Sequence, residues 1–289
     1  MKILLFGSSG QLGKTLAIKL QSFQLKRVNS MECNFNDEKK IKDIIKKFKP
    51  RLIINAAAYT NVDDAEINKN DAFQINSKAL SVIGRESKKI NAIVIHFSTD
   101  YVFNGEKEDE YSESDKKHPL SIYGLSKSSG EDLLIEATDK YFILRVSWLM
   151  SHYNNCFVDK IMHKLRNNKE VDVVSDQFGK MTSTEWLSEI TYKLINKIKE
   201  NKCVNFGTYH VACNGKISWF DIAETIANFM KTKDGKSRKV KKIKLNSLNL
   251  LARRPVYTQL ATKKIENELN IQTPSWKSEL NKILDVKIA

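Results

Sequence analysis

Residues 2–13 read KILLFGSSGQLG, a short apolar run followed by glycines at positions 7, 10 and 13. The run Lys2–Phe6 has the length of a strand, and from Leu12 onwards apolar residues recur at helical spacing. Strand, glycine turn and helix in this order are typical of a pyrophosphate-binding unit. Gly7 would allow the tight turn, Gly10 would let phosphates approach the backbone, and Gly13 would let the helix pack close to the sheet. A plain strand-to-helix turn is the alternative, but placement on the first strand favours cofactor binding.

Strands and helices continue to alternate up to about residue 150. The sequence predicts, in order, strand Leu25–Val28, helix Ile41–Phe48, strand Leu52–Ala57, helix Asp71–Lys89, strand Ala92–Phe97, helix Ser126–Ala137 and strand Tyr141–Val146. Five strands separated by helices predict an α/β fold with a doubly wound, Rossmann-type parallel sheet.

Beyond residue 150 this alternation weakens. Helices are expected at Phe157–Arg166, Glu185–Lys199 and Phe220–Lys231, with single strands at Val171–Val174 and Gly207–Ala212. We therefore predict an NAD(P)-binding Rossmann domain over residues 1–150, rejoined by about residues 181–213. A smaller, mostly C-terminal α/β substrate-binding domain would occupy residues 151–289.

The composition is that of a globular protein, with 41% hydrophobic and 28% charged residues in 289. The first apolar run ends at Phe6, too short for a signal peptide, and no run approaches the ~20 residues of a membrane span. We therefore expect a cytoplasmic protein with no membrane partner. The four cysteines have no metal-ligand spacing and are interpreted as reduced thiols.

The net charge of +14 raises the question of nucleic-acid binding. A lysine-rich solvated surface is the favoured interpretation, because lysines alternate with acidic residues almost everywhere. Lys231–Lys244 is an exception, since eight of its fourteen residues are basic. This stretch is either a loop or a weak polyanion patch.

The end of the second strand bears on the choice of cofactor. An acidic residue there would bind the ribose hydroxyls and exclude a 2′-phosphate, but the chain has Lys26, Arg27, Val28 and Asn29. The absence of an acidic residue and the presence of basic residues at this strand end favour NADPH. The nearby Glu32 could still bind the ribose hydroxyls, so NADH remains open.

Tyr123 and Lys127 stand four residues apart, on one face of a helix if the helix has begun there. An ammonium beside a phenol lowers the pKa of the phenol, so that tyrosine can exchange a proton at working pH. The chain has one Tyr-x-x-x-Lys pair, and it follows Thr99, at the end of the fourth strand, by 24 residues. Ligands bind at that edge of such sheets, so Thr99 is predicted to hold a substrate carbonyl rather than only to cap the strand.

At this point the chain closely resembles the dTDP-4-dehydrorhamnose reductase family of extended short-chain dehydrogenase/reductases. The matching segments run nearly end to end and are Gly7–Gly13, Asn55–Thr60, Val62-Asp63, Ala65-Glu66, Asn76, Ser98–Phe103, Tyr123–Lys127, Gly130-Glu131, Arg145, Ser147-Trp148, Asp176–Gly179 and Arg253–Pro255.

The resemblance implies a role for each matching position. The catalytic residues would be Thr99, Tyr123 and Lys127. The sugar nucleotide would also contact Asp100, Trp148, Arg253 and Arg254. The cofactor would be bound by Gly7, Gly10, Gln11, Leu12, Gly13, Asn34, Phe35, Ala57, Ala58 and Tyr59, together with Tyr123 and Lys127.

Three departures from the family pattern affect these expectations. Asn34 replaces the usual aspartate near the adenine, and Asn154-Asn155-Cys156-Phe157 alters the usual Asn-Asn-Phe at the sugar pocket. Relatives that dimerise through magnesium have a glutamate where this chain has Thr15, and no matching C-terminal glutamate is evident beside Glu185. We therefore expect no required metal, and either a monomer or a homodimer.

The resemblance implies NAD(P)H-dependent reduction of a nucleotide-linked 4-keto-6-deoxyhexose, with dTDP-4-dehydrorhamnose as the favoured substrate and dTDP-L-rhamnose, a polysaccharide precursor, as the product. Related dehydratases have glutamate after Thr-Asp, whereas here Tyr101 follows Asp100, which favours reduction. The alternative is a non-catalytic nucleotide-binding subunit, like the regulatory subunit of methionine adenosyltransferase.

Overall fold

The computed structural model describes residues 1–153, 156–168, 170–200 and 202–288. Its strands are β1 Lys2–Phe6, β2 Gln24–Val28, β3 Leu52–Asn55, β4 Ile93–Thr99, β5 Tyr141–Val146, β6 Leu149–Met150, β7 Glu170–Val174, β8 Phe178–Gly179, β9 Thr182–Ser183, β10 Gly207–Val211, β11 Ile217–Ser218 and β12 Lys239–Ile243. Its α-helices are α1 Gln11–Lys19, α2 Glu38–Phe48, α3 Val62–Ile67, α4 Lys69–Phe73, α5 Ala79–Lys89, α6 Ile122–Ala137, α7 Phe157–Asn167, α8 Thr184–Lys199, α9 Trp219–Asp234, α10 Lys263–Leu269 and α11 Trp276–Ile288. None of the described helices has the length and apolarity needed to span a membrane.

Six strands form the main sheet in the order β10-β5-β4-β3-β1-β2, and every pairing is parallel. This arrangement confirms the predicted doubly wound α/β sheet. The direction of winding reverses between β1 and β3, and ligands of such sheets bind at the carboxyl ends of the strands near that point. The glycine turn after β1 and Thr99 at the end of β4 therefore lie at the same edge.

The helix that carries Tyr123 begins earlier than predicted. The side chain of Ser121 accepts a hydrogen bond from the backbone N–H of Gly124, so α6 starts at Ile122 rather than near Ser126. Tyr123 consequently lies in the first turn of the helix and Lys127 lies one turn further on.

Two large groups of apolar side chains form most of the interior. The first lies on both faces of the main sheet, and on one face it joins Ile3 and Leu5 to Leu187 and Leu194 of α8. The second lies outside the sheet and includes residues of α7, α9 and α11. On this basis we propose that residues 181–213 complete the sheet domain and that most of the later chain forms the substrate domain.

One predicted helix is interrupted. The segment predicted as Asp71–Lys89 contains a π-helical turn at Gln74–Lys78 between α4 and α5. That turn brings the Asn76 side chain to the backbone N–H and C=O of Tyr59 and to the hydroxyl of Ser126. π-turns of this kind are frequent at functional sites.

The basic stretch Lys231–Lys244 is not a simple loop, because it contains the end of α9 and the exposed strand β12. Lys239 pairs with Glu170 at 2.7 Å, and Arg238 pairs with Asp234 at 2.5 Å. Part of the basic charge is therefore balanced within the protein.

Candidate active site

The glycine turn has the close contacts that its sequence predicts. Gly7 has φ of +76°, and a Cβ there would lie 2.4 Å from the backbone nitrogen of Ala57. A Cβ on Gly13 would lie 2.1 Å from the carbonyl oxygen of Gly7, so Gly13 packs against the turn itself. A Cβ on Gly10 would meet Gly7 at 3.5 Å, an ordinary contact, so the protein alone does not require glycine at this position.

The start of α1 is suited to binding an anion. Gly10 is the N-cap and provides no side-chain hydrogen bond to the helix. The first backbone N–H groups of a helix have no partner within the helix, and the helix dipole makes this end positive. These features fit the pyrophosphate of a dinucleotide.

A first cavity of about 260 Å³ lies between the ends of β1, β2 and β3. Among the predicted cofactor residues it is lined by Gly7, Gly10, Asn34, Phe35, Ala57 and Ala58. Near the end of β2, the described residues that line this cavity include Asn29 and Ser30 but neither Lys26 nor Arg27. Glu32 accepts a hydrogen bond from the backbone of Asn29 at 3.0 Å.

A second cavity of about 700 Å³ adjoins the first and shares Gly10, Ala57 and Ala58 with it. It brings together predicted residues from four parts of the chain, namely Gln11, Leu12, Thr99, Asp100, Tyr123, Lys127 and Trp148. Because they share Gly10, Ala57 and Ala58, the two cavities form one continuous groove.

Lys127 is buried at the base of this groove. Its Nζ donates to the carbonyl oxygen of Phe97 at 2.6 Å and lies 3.1 Å from Nε2 of His96. Burial lowers the pKa of Lys127 to about 7, while the nearby Glu131 carboxylate acts in the opposite direction. His96, whose Nδ1 lies 3.1 Å from the Asn55 amide nitrogen, was not identified from the sequence.

Tyr123 and Thr99 meet in the same cavity, but the pKa of Tyr123 shifts in the opposite direction to that predicted. Burial raises it, and an interaction with the Thr99 side chain lowers it only in part. The prediction was wrong because sequence spacing shows neither the burial of the phenol nor the contacts of Lys127 with Phe97 and His96.

Three residues that line the second cavity have a buried polar atom with no hydrogen-bond partner among the described residues. These atoms are Ser98 Oγ, Asp100 Oδ2 and Trp148 Nε1. Arg254 Nη1 also lacks a partner, but Arg254 lines neither cavity. Buried polar atoms are normally hydrogen-bonded, so atoms left free beside a cavity indicate that a ligand binds there. Burial also raises the pKa of Asp100 to about 7.

Trp148 lies in the second cavity in a rare conformation, with φ of +44°. Its ring stacks on Trp219 at 3.9 Å between centroids. A Cβ on Gly179 would lie 2.9 Å from the Trp148 ring, so only glycine fits beneath it. Trp219 was not predicted as a site residue, because no local motif marks it.

The remaining predicted residues lie away from the groove lining. Arg254 binds Asp63 at 2.7 Å and lies over the Tyr101 ring, whereas Arg253 is exposed. The Tyr59 hydroxyl bonds to Asp64. Asn154 and Asn155, which belong to the altered sugar-pocket motif, lie outside the described residues.

A separate cavity of about 540 Å³ brings Thr15 together with Glu185 and Glu279. Glu279, in α11, was not identified from the sequence as a residue of this cavity. Glu185 is bound to His152 at 2.6 Å, and Glu279 accepts from Ser183 at 2.5 Å and from Lys282 at 2.6 Å. Throughout residues 1–153, 156–168, 170–200 and 202–288, no three His, Cys, Asp or Glu side chains are arranged to hold a metal.

Comparison with known proteins places these features in context. A family model described as RmlD substrate binding domain matches residues 1–288. The dTDP-4-dehydrorhamnose reductase of Aggregatibacter actinomycetemcomitans is 34% identical over 289 residues, which cover 98% of each protein. The solved dTDP-4-dehydrorhamnose reductase of Bacillus anthracis in complex with NADP has a TM-score of 0.91 at 30% identity, covering 98% of each chain. The Bordetella bronchiseptica enzyme WbmG in complex with NAD and UDP shares the fold, with a TM-score of 0.81 at 15% identity over 98% of this chain and 94% of that one.

Proposed function

The chain belongs to the RmlD substrate-binding-domain family, and from this premise we propose that it is an NADPH-dependent dTDP-4-dehydrorhamnose reductase. It converts the 4-keto sugar nucleotide to dTDP-L-rhamnose, a precursor of polysaccharides. One observation supports this most strongly: Tyr123, Thr99 and Lys127 line a cavity that is continuous with the glycine-turn groove.

The groove fits the cofactor in its shape and its donors. Gly10 leaves space where a side chain would stand, and the first turn of α1 offers free N–H groups to the pyrophosphate. Asn34 and Phe35 would hold the adenine end, and Ala57 and Ala58 would line the path to the second cavity. When bound there, NADPH supplies the hydride that reduces the ketone.

The protein's own residues supply the proton. Thr99 would hold the carbonyl oxygen of the substrate, and Tyr123 would donate its hydroxyl proton to that oxygen as C4 accepts the hydride. The electron pair of the carbonyl π bond then becomes the O–H bond of the alcohol, and Tyr123 is left as a phenolate. Burial favours the protonated phenol, the form that this reduction requires.

The substrate side of the groove is lined by Asp100, Tyr101 and Trp148. Asp100 Oδ2 and Trp148 Nε1 have no hydrogen-bond partner within the described protein and would bind sugar hydroxyl groups. Arg254 lies behind the lining, over the ring of Tyr101, and its guanidinium would bind a phosphate. Tyr101 occupies the position that is glutamate in the related dehydratases, and a phenol whose pKa is raised to about 12 by burial is a poor base for removing a proton. The site therefore favours reduction over loss of water.

The experiment is to mix the protein with NADPH and each of the dTDP-, UDP-, GDP- and CDP-linked 4-keto-6-deoxy sugars, following the absorbance of the reduced nicotinamide. We expect the fastest oxidation with the dTDP sugar, and oxidation about 10²-fold slower or more with Tyr123→Phe. Nucleotide binding without turnover of any sugar would instead support a non-catalytic subunit like that of methionine adenosyltransferase.

We further propose that the protein works in the cytoplasm, where NADPH and nucleotide sugars are made. Its partner is the nucleotide sugar rather than a membrane or a nucleic acid. It is either a monomer or a homodimer, which light scattering at working concentration distinguishes.

A further inference from the structure

Gln177 lies in the Asp176–Gly179 segment, to which the proposed mechanism assigns no role. Its side chain is 3% exposed and is not among the described residues that line either cavity. Its Oε1 accepts a hydrogen bond from Nε1 of Trp219 at 3.0 Å, and its Nε2 donates to the carbonyl oxygen of Pro255 at 2.9 Å. One buried amide therefore joins the first residue of α9 to the segment that carries Arg254.

The two hydrogen bonds independently give the Gln177 amide the same orientation. The indole N–H of Trp219 is a donor only, so the atom that faces it is the amide oxygen. The carbonyl oxygen of Pro255 is an acceptor only, so the group that faces it is the amide NH₂. An ionised carboxylate has no donor for Pro255, and an apolar side chain has neither group. A glutamine satisfies both partners at once.

Trp219 is the partner of Gln177 that faces the substrate side of the groove. It lines the second cavity and is half-buried, and its ring stacks on Trp148 with 13° between the two planes. Phe157 packs against the same ring at 4.5 Å between centroids. The indole N–H is the only polar group of the side chain, so the hydrogen bond to Gln177 fixes how the ring is turned. The exposed part of the ring then offers an apolar surface to a ligand in the cavity.

The second partner of Gln177 holds the chain beside Arg254. Proline has no backbone N–H, so the carbonyl is the one backbone group through which Pro255 can be held. On the other side, Asp63 binds the Arg254 guanidinium at 2.7 Å. Burial raises the pKa of Tyr101 to about 12, and among smaller effects a hydrogen bond with the Gln177 side chain lowers it. Residues on three sides of the amide thus belong to, or adjoin, the substrate side.

We propose that Gln177 is a positioning residue for sugar-nucleotide binding, which fixes the Trp219 ring in the second cavity and the Arg254 segment behind it. The inference rests on the proposed function, because the sugar nucleotide is the ligand that this side of the groove would take. The two hydrogen bonds of Gln177 go neither to Tyr123 nor to the glycine turn. Loss of Gln177 should therefore weaken binding of the sugar nucleotide and leave the chemical step and NADPH binding intact.

The kinetic test uses Gln177→Leu, which removes both hydrogen bonds and keeps an apolar side chain of similar length. We expect KM for the sugar nucleotide to rise about 10-fold, the effect of leaving buried polar groups unpaired. We expect kcat and NADPH affinity to change by less than about 3-fold. The matched control is Gln259→Leu, since Gln259 is also 3% exposed but its Oε1 has no partner among the described residues. An unchanged KM in folded Gln177→Leu, or an equal rise in the control, would overturn the proposal.

A spectroscopic test requires no substrate. Two stacked indoles couple their electronic transitions and give a pair of circular dichroism bands of opposite sign. We expect this signal in the full-length wild-type protein, its loss in Trp219→Phe, and its weakening in Gln177→Leu but not in Gln259→Leu. An unaltered signal in Gln177→Leu would contradict the proposal, because the Trp219 ring would then be held without the amide.

Trp219→Phe also tests the proposal if Gln177→Leu does not fold, because it keeps an aromatic ring and removes the indole N–H. We expect KM for the sugar nucleotide to rise in this variant, and the rise in the double variant to be smaller than the product of the two single effects. An unchanged KM in Trp219→Phe, or effects that simply multiply, would contradict the proposal. Calorimetry with dTDP-L-rhamnose and NADP⁺ separates the two hypotheses. Weakened binding in the variants, with no turnover by the wild-type protein, would contradict only the proposed function.

Discussion

The two sides of the groove are built from different parts of the polypeptide. The proposed cofactor side is built around the backbone of the glycine turn, with Gly7 close to Ala57 and with Gly10 at the start of α1. The substrate side consists of side chains, among them Trp148 and Trp219, from segments far apart in sequence. Main-chain groups suit the constant diphosphate of a dinucleotide, whereas side chains can change with the sugar without altering the fold.

The largest expected effect is at Tyr123, where the two sides meet. Tyr123→Phe removes one oxygen and keeps the ring, so we expect kcat to fall about 10²-fold or more, the scale of positioned acid catalysis. NADPH affinity should remain normal because the glycine turn is untouched. Turnover close to wild type would remove Tyr123 from the mechanism. The reaction would then not take place where the two sides of the groove meet at Tyr123.

The next effect distinguishes two glycines on the cofactor side, one needed for stability and the other for cofactor binding. A Cβ on Gly13 would meet the Gly7 carbonyl at 2.1 Å, so Gly13→Ala should lower the free energy of unfolding by about 1–3 kcal/mol. Gly10→Ala meets only an ordinary contact, so its unfolding should be unchanged while NADPH affinity falls about 10-fold, or ~1.4 kcal/mol. Calorimetry measures the stability of both variants, and NADPH titration measures their cofactor affinity. Equal loss of stability in both would show that Gly10 serves the fold rather than the cofactor.

On the substrate side we expect an effect of similar size that changes only the KM for the sugar nucleotide. Arg254 has an unpaired Nη1, so Arg254→Ala should raise KM for the sugar nucleotide about 10-fold, as expected for a charged hydrogen bond. Arg253→Ala is the control, since that side chain is exposed. Steady-state kinetics at saturating NADPH gives both values. If NADPH affinity falls with KM, Arg254 belongs to the cofactor side instead.

The smallest effect concerns Lys26 and Arg27, which were predicted from the sequence to favour binding of the 2′-phosphate of NADPH. Neither lines the first cavity in the described structure, whereas Ser30 does. We therefore expect Lys26→Ala and Arg27→Ala to change the ratio of NADPH to NADH affinity by less than about 3-fold, or ~0.6 kcal/mol. Fluorescence titration with both cofactors measures it. A large loss of NADPH affinity in either variant would show that the cofactor side also depends on a charged side chain, which binds the 2′-phosphate.

The backbone side could be predicted from sequence because its residues are close together in the chain. The apolar run, the glycine spacing and the helix after it lie within residues 2–20, and each has a local physical cause. The pairing of Tyr123 with Lys127 is also local, since one helical turn separates them.

The substrate side could be predicted only in part, because its contacts join distant residues. His96 meets Lys127 across 31 positions, and the pKa of Tyr123 depends on burial that no spacing shows. Trp219, the first residue of α9, stacks on Trp148, which lies between β5 and β6, and no motif marks this contact. Even α11, which brings Glu279 into the cavity that Thr15 also lines, has no sequence signature that indicates where it packs.

The ring of Trp148 above Gly179 limits which sequences this fold can adopt. A side chain at Gly179 would lie 2.9 Å from the ring, so the two positions cannot vary independently. A lineage must lose or shrink the tryptophan before residue 179 can gain a side chain, and the reverse order passes through a poorly folded intermediate. We expect the mutation pair to be strongly epistatic, so changes of sugar specificity that pass through Trp148 follow a restricted order of substitutions.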